Sequence, residues 1–225
     1  MDFIFMLTRG DKTVEDCLDV FDQIAPLGLK HVGFKDVGVE PATLRKLVDR
    51  IRSAGAISYM EVVSDTPEAA LNSARIGAEL GIDRLLGGTD VQRVGEILQG
   101  THTKYYPFPG FPVGHPTRLG GGPGDVTSQC AAFMAQGCAG ADLLAFRATE
   151  ADPLDLVRAA RRGLGPEGYL IVAGSITSAE RIKAVAAAGA DAFTIGTAVF
   201  DGSYSPRKGS ILSQLGDVIA DSAAA

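Results

Sequence analysis

Three charged residues end short apolar runs of the sequence and have the types needed for acid–base or covalent catalysis. Lys35 and Glu61 lie near the ends of the runs at 31–36 and 57–63, and Arg147 ends the run at 141–147. Lys35 and Glu61 could act as a general acid–base pair in an enolisation or isomerisation. A Lys35 whose pKa is lowered by burial and by Arg147 could instead form a Schiff base with a substrate carbonyl, while Glu61 shuttles protons. A structural ion pair in the core is the third alternative, and the residues alone leave all three open.

The elements that must position these residues are marked by recurring glycines. Each glycine ends an amphipathic stretch and precedes a short apolar run, which is typical of a left-handed residue after a helix and before a buried strand. These glycines are Gly28, Gly55, Gly81, Gly140 and Gly189.

This pattern divides the chain into eight strand–helix units. The predicted strands are near 3–8, 31–36, 57–63, 84–88, 104–107, 141–147, 169–173 and 192–196. The predicted helices are near 14–26, 41–54, 66–80, 91–99, 125–136, 153–163, 178–188 and 210–221. Eight alternating units in 225 residues favour an α/β fold, a single (β/α)₈ TIM barrel over residues 1–225 with a frayed tail at 221–225. An open doubly wound sheet fits less well because it would not require eight such units.

The end of the chain contains features of a phosphate site. Gly174 and Gly196 follow the last two predicted strands and would let the backbone approach an anion closely. Ser175 and Thr197 add hydroxyl donors, and 197–200 is predicted to form a short helix whose N–H groups point at the bound charge. Because both loops follow the carboxyl ends of barrel strands, they lie where such barrels bind ligands.

Residues 169–200 resemble the phosphate-binding half of the ribulose-phosphate-binding barrel superfamily. The resemblance implies that Gly174, Ser175, Gly196 and Thr197 hold the phosphate of a substrate or cofactor. The catalytic residues of individual members do not carry over. The strand at 57–63, for example, lacks the Asp-x-Lys-x-x-Asp run of the superfamily's decarboxylases.

Four further residues are candidates for substrate binding. Side-chain alternation directs Thr194 into the barrel, and Arg9 follows the first predicted strand. His115 and Arg118 lie in a long glycine-rich loop, and such loops in compact domains are often functional. Two aspartates with similar positions, Asp11 and Asp90, are instead predicted to cap helices.

Composition excludes several classes of protein. A net charge of −6 and a pI near 5.1 leave no excess of cations for nucleic acid. Three cysteines without metal-ligand spacing predict neither a disulfide framework nor a metal site. The longest apolar runs are too short to span a membrane, and the first residues lack a basic segment typical of a signal peptide. A cytoplasmic protein is therefore predicted, and the sequence allows a homo-oligomer without specifying one.

The sequence therefore predicts a metabolic enzyme, an isomerase or an aldolase-like carbon–carbon lyase, that acts on a small phosphorylated carbonyl compound or sugar phosphate. No cofactor is predicted. A non-catalytic barrel that binds a phosphorylated metabolite and an enzyme that binds a cofactor through its phosphate are the alternatives.

Overall fold

Eight short apolar runs of the sequence form parallel strands in a single sheet, as the computed structural model shows for residues 1–64, 66–114 and 116–225. The strands are β1 (Asp2–Met6), β2 (His31–Lys35), β3 (Ile57–Val62), β4 (Arg84–Gly87), β5 (Lys104–Tyr106), β6 (Gly140–Leu143), β7 (Tyr169–Val172) and β8 (Ala192–Ile195). Their order in the sheet is β6-β7-β8-β1-β2-β3-β4-β5.

Two backbone hydrogen bonds connect the edge strands β5 and β6 and bring the sheet close to a complete cylinder. The Ala139 N–H donates to the Tyr105 carbonyl and the Asp142 N–H donates to the Pro107 carbonyl, each at 3.0 Å. The predicted (β/α)₈ architecture is confirmed, since every strand runs in the same direction and is followed by a helix.

Amphipathic helices cover the outside of the barrel because each presents one apolar stripe to the strands. They are α1 (Cys17–Ile24), α2 (Pro41–Ser53), α3 (Pro67–Leu80), α4 (Val91–Leu98), α5 (Pro123–Ala135), α6 (Pro153–Leu164), α7 (Ala179–Ala187), α8 (Thr197–Phe200) and α9 (Ile211–Ala223). The prediction of a short helix at 197–200 is confirmed by α8. The last helix continues to Ala223, so residues 221–223, predicted to be frayed, are helical.

The glycine pattern holds at four of the five predicted positions. Gly28, Gly55, Gly81 and Gly189 have positive φ at the ends of helical segments. The prediction for Gly140 is wrong, because Gly137, with φ of 82°, is the left-handed residue after α5. Gly140 instead begins β6, where a Cβ atom would lie 1.9 Å from the Tyr169 carbonyl oxygen.

The inside of the barrel is filled at its amino-terminal end. Alternating residues such as Ile4, Tyr59 and Tyr106 form a small inner core, separate from the larger core between the strands and the helices. The Arg84 guanidinium lies over the rings of Tyr59, Tyr106 and Tyr169, 5.1, 5.7 and 4.7 Å from their centroids. Such cation–π contacts stabilise a charge that is partly removed from water. This packing leaves the carboxyl-terminal mouth as the end at which a ligand can enter.

Two hairpins of very short strands extend from this mouth. The first pairs Thr8–Arg9 with Lys12–Thr13, and the second pairs Phe111–Val113 with Arg118–Gly120. No helix in the described part of the chain is long and apolar enough to cross a membrane.

Candidate active site

The carboxyl-terminal mouth of the barrel contains a cavity of about 330 Å³. It is lined by charged side chains and by the loops that follow β7 and β8. The charged lining residues are Asp11, Lys35, Glu61 and Arg147, and the two loops contribute Gly174–Thr177 and Gly196–Ala198. The cavity therefore lies where the barrel fold places binding and catalytic residues.

Lys35 and Glu61 occupy paired positions at the carboxyl ends of β2 and β3. The Lys35 Nζ atom is 3.2 Å from Glu61 Oε2, and the two side chains are each 5% exposed. The Thr13 hydroxyl fixes the end of β2, because it donates to the Lys35 carbonyl and accepts from the Lys35 N–H, both at 2.8 Å. The predicted contact between the lysine and the glutamate at the mouth is thus present in the structure.

Asp11 is a central residue of the cavity, so its predicted role as a helix cap is wrong. It lies in the two-residue turn of the first hairpin, where Gly10 and Asp11 have φ of 56° and 61°. A type I′ turn requires positive φ at both central residues, and aspartate tolerates this conformation better than most side chains. The turn directs the carboxylate to Lys35 Nζ at 2.9 Å. A Gly-Asp pair directly after a strand is a hairpin signal that could have revealed this position.

Arg147 closes the cavity from the opposite side of the barrel. Strand β6 ends at Leu143 rather than at the predicted residue 147, and the 3₁₀ turn Ala145–Arg147 directs the guanidinium inward. Arg147 Nη1 and Nη2 donate to the two oxygens of Asp11 at 2.7 and 2.8 Å. A forked pair of this kind is both strong and geometrically specific.

The charges of the cavity stabilise one another. Burial alone would raise the pKa of Asp11, but hydrogen bonds from Arg147 and the charge of Lys35 outweigh it and lower that pKa. Burial alone would lower the pKa of Lys35, but the negative charges of Glu61 and Asp11 raise it above its usual value. Hydrogen bonding to Asp11 raises the pKa of Arg147. The two carboxylates therefore favour the ammonium form of Lys35, whereas a Schiff base would need a lowered pKa of this lysine.

A third carboxyl group, that of Asp142 on β6, is close enough to Glu61, Lys35 and Arg147 for their charges to act on it, and it has no counterpart among the predicted site residues. The side chain is completely buried, and neither oxygen has a hydrogen-bond partner in the described chain. Burial raises the pKa of Asp142 well above its usual value. The negative charge of Glu61 raises that pKa further, whereas the positive charges of Lys35 and Arg147 lower it by less. Alternation within β6 could have revealed it, because Ala141 and Leu143 face the helices.

The four residues predicted to bind phosphate all line the cavity together with Thr194. Gly174 has φ of 76°, and a Cβ atom there would lie 2.5 Å from Arg147 Nε. A Cβ atom at Gly196 would lie 2.6 and 2.8 Å from the hydroxyl and carbonyl oxygens of Thr8. These contacts give both glycines a packing role in addition to the predicted one.

The other two phosphate candidates belong to the same pair of loops. Ser175 has φ of 59°, which is uncommon for a residue with a side chain. The Thr197 hydroxyl accepts from the Gly10 N–H at 3.3 Å and so links the β8 loop to the first hairpin.

The remaining predicted substrate contacts lie elsewhere. Arg9 points away from the cavity, where its Nε atom is 2.7 Å from Asp201 Oδ1 and its side chain is 63% exposed. Arg118 is exposed in the second hairpin and is not part of the cavity wall. His115 lies outside the described residues. Asp90 caps α4 as predicted, because its carboxylate accepts from the Arg93 N–H at 3.2 Å.

No protein-family model matches the sequence, and no curated protein matches it either. Solved structures are similar over nearly the whole chain. Orotidine 5′-phosphate decarboxylase from Pyrococcus horikoshii OT3 is 14% identical with a TM-score of 0.62, and 98% of each chain is covered. The Amycolatopsis orientalis BexX/CysO complex is 20% identical with a TM-score of 0.63, covering 100% of this chain and 89% of that chain. A structure described as native KDPGal is 13% identical with a TM-score of 0.64, covering 98% and 97%. Identities this low establish the barrel fold that the sequence predicted and nothing further.

Proposed function

We propose that this protein is a metabolic enzyme, an isomerase or carbon–carbon lyase that acts on a small phosphorylated carbonyl compound by acid–base chemistry. The observation that carries the proposal is the 3.2 Å contact between Lys35 and Glu61 in a cavity whose wall also holds Ser175 and Thr197. A volume of about 330 Å³ suits a small ligand. One similar fold, orotidine 5′-phosphate decarboxylase, is by its name an enzyme that acts on a phosphate ester.

In this proposal, different parts of the cavity would bind the phosphate end and the carbonyl end of the substrate. The Ser175 and Thr197 hydroxyls and the nearby backbone would hold the phosphate group, since such loops bind anions in barrels. The carbonyl end of the substrate would then reach the Lys35 ammonium and the Glu61 carboxylate. Arg147, which is held by Asp11 and packs against Gly174, would add positive charge beside the phosphate loops.

Acid–base chemistry fits the charge states better than a Schiff base does. Glu61 would remove the proton on the carbon next to the carbonyl, and Lys35 would donate a hydrogen bond to the resulting enolate oxygen. Returning that proton to the neighbouring carbon, with the hydroxyl proton moving between the two oxygens, completes an isomerisation. In a lyase, Glu61 would instead take the proton of the hydroxyl group β to the carbonyl as the carbon–carbon bond breaks, releasing an aldehyde. Glu61 would then return that proton to the carbon of the remaining enolate. A Schiff base needs a neutral lysine, and the neighbouring carboxylates raise the pKa of Lys35.

Solvent exchange in D₂O tests the proposal whichever product the reaction forms. We expect proton NMR to show loss of the signal next to the carbonyl of at least one compound in a panel of aldose, ketose and keto-acid phosphates. The Arg158→Gln variant, which changes an exposed ion pair on α6, serves as a control and should exchange at the wild-type rate. Binding of inorganic phosphate without exchange of any compound would contradict the enzyme and favour the non-catalytic barrel.

A further inference from the structure

Asp142 differs in its hydrogen bonding from two other aspartates that stand in the same Gly-x-Asp pattern. The chain contains three Gly-x-Asp runs that lead into strands, ending at Asp83, Asp142 and Asp191. Asp83 accepts from the Ser58 N–H and Asp191 from the Leu170 N–H, at 2.8 and 2.7 Å. Asp142 lies within β6 rather than before it, so its carboxyl group enters the barrel and receives no such bond.

The nearby cations are already engaged by other carboxylates. The Lys35 ammonium is 2.9 Å from Asp11 and 3.2 Å from Glu61. The Arg147 guanidinium is bound to both oxygens of Asp11 and donates to the Thr117 carbonyl at 3.4 Å. The positive charges of Lys35 and Arg147 are therefore already matched by the carboxylates of Asp11 and Glu61. An additional buried negative charge would have no hydrogen bond to offset its loss of hydration.

We infer that Asp142 is a neutral carboxylic acid in the resting protein and acts as a positioning residue for the pair formed by Lys35 and Glu61. Asp142 is buried behind the cavity wall rather than part of its lining. As a neutral group it does not compete for the ammonium, so Lys35 stays directed at Glu61 and Glu61 remains available as a base. An ionised Asp142 would attract Lys35 downward, away from the substrate. The positioning of Lys35 and Glu61 by Asp142 rests on the proposed function, whereas the neutral state of the Asp142 carboxyl group does not.

Infrared difference spectroscopy of the whole protein at neutral pH tests the protonation state without a substrate. The wild type minus Asp142→Asn spectrum should contain the carbonyl stretch of a protonated carboxyl group, shifted to lower frequency in D₂O. The matched control Asp83→Asn should remove carboxylate bands only. A wild type minus Asp142→Asn difference spectrum without the protonated band would overturn the inference.

The exchange assay tests the positioning role. Because Asn is neutral and nearly the same shape, Asp142→Asn should exchange within about threefold of the wild type, whereas the bulkier Asp142→Leu should fall at least about tenfold by displacing Lys35 or Glu61. A loss of about 100-fold in Asp142→Asn would show that the carboxyl proton itself is needed and would overturn the positioning role. If the wild type exchanges no compound, the proposed function and the positioning role fail together, while the infrared result still decides the charge of Asp142.

Discussion

Arg147 holds both carboxylate oxygens of Asp11 across 136 residues of sequence, with donor–acceptor distances of 2.7 and 2.8 Å. This forked pair joins the hairpin after β1 to the turn after β6, and it connects through Asp11 to Lys35. The pair thus stabilises the mouth of the barrel and fixes the charge that faces the cavity. Its burial makes the loss of one partner costly.

Removing the charge of Asp11 should destabilise the protein in a pH-dependent way. Asn keeps the left-handed turn, so Asp11→Asn mainly removes the ion pairs, at a cost of about 3 kcal/mol in the free energy of unfolding at pH 7. Because these pairs lower the folded-state pKa of Asp11, its contribution is full above the unfolded-state value of about 3.9 and is lost as the pH falls through the folded-state value. Urea unfolding at several pH values measures the difference.

The exposed pair of Asp155 and Arg158 on α6 is the control for this series. Asp155→Asn should cost no more than about 1 kcal/mol at any pH. A difference between wild type and Asp11→Asn that does not shrink in acid would contradict the lowered pKa of Asp11.

Asp142 should show the opposite dependence on pH. Burial and the negative charge of Glu61 raise the folded-state pKa of Asp142 more than the positive charges of Lys35 and Arg147 lower it. The unfolded chain therefore releases this proton at lower pH than the folded chain does. Asp142 therefore opposes folding increasingly as the pH rises above about 4, by at most about 1.4 kcal/mol per pH unit. Asp142→Asn should gain stability over the wild type between pH 4 and pH 7 in urea unfolding. A stability difference between the two proteins that does not change between pH 4 and pH 7 would contradict the raised pKa of Asp142.

Gly196 should be intolerant of a side chain for reasons of packing. A Cβ atom at Gly196 would lie 2.6 Å from the Thr8 hydroxyl and 2.9 Å from the Met6 carbonyl oxygen. Gly196→Ala should therefore cost about 1 to 3 kcal/mol, as overpacked core positions do. Gly95→Ala in α4, where the Cβ atom meets nothing within 4 Å, should gain about 0.5 to 1 kcal/mol. Equal effects of the two variants on the urea midpoint would contradict this account.

Much of the fold could be predicted from the sequence because glycine and apolar periodicity act locally. The positions of Lys35 and Glu61 near the ends of apolar runs, and the alternation that directs Thr194 inward, agree with their places in the cavity wall. The prediction for Gly140 failed because close contact with the Tyr169 backbone, a tertiary constraint, selects glycine there.

The charged cluster could be predicted only in part because it depends on where strands end. Strand β6 ends at Leu143, so a 3₁₀ turn rather than strand alternation directs Arg147 inward. The helix-cap prediction for Asp11 failed because Gly10 and Asp11 form a two-residue hairpin turn, which directs the carboxylate to Lys35 rather than to a helix N-terminus. Asp142 is hard to predict because a buried unpaired carboxylate is an unfavourable choice for a core. Such local conflicts are more common at functional sites than elsewhere.

The rate of exchange in D₂O by Glu61→Gln, compared with the wild type, tests the central claim most directly. Loss of the base should reduce the exchange of the carbon-bound proton by about 10² to 10⁴. The dissociation constant for inorganic phosphate should stay within about twofold, because the strand that ends near Glu61 lies across the barrel from the strands that precede Ser175 and Thr197. Exchange at the wild-type rate in Glu61→Gln would contradict the assignment of Glu61 as the base.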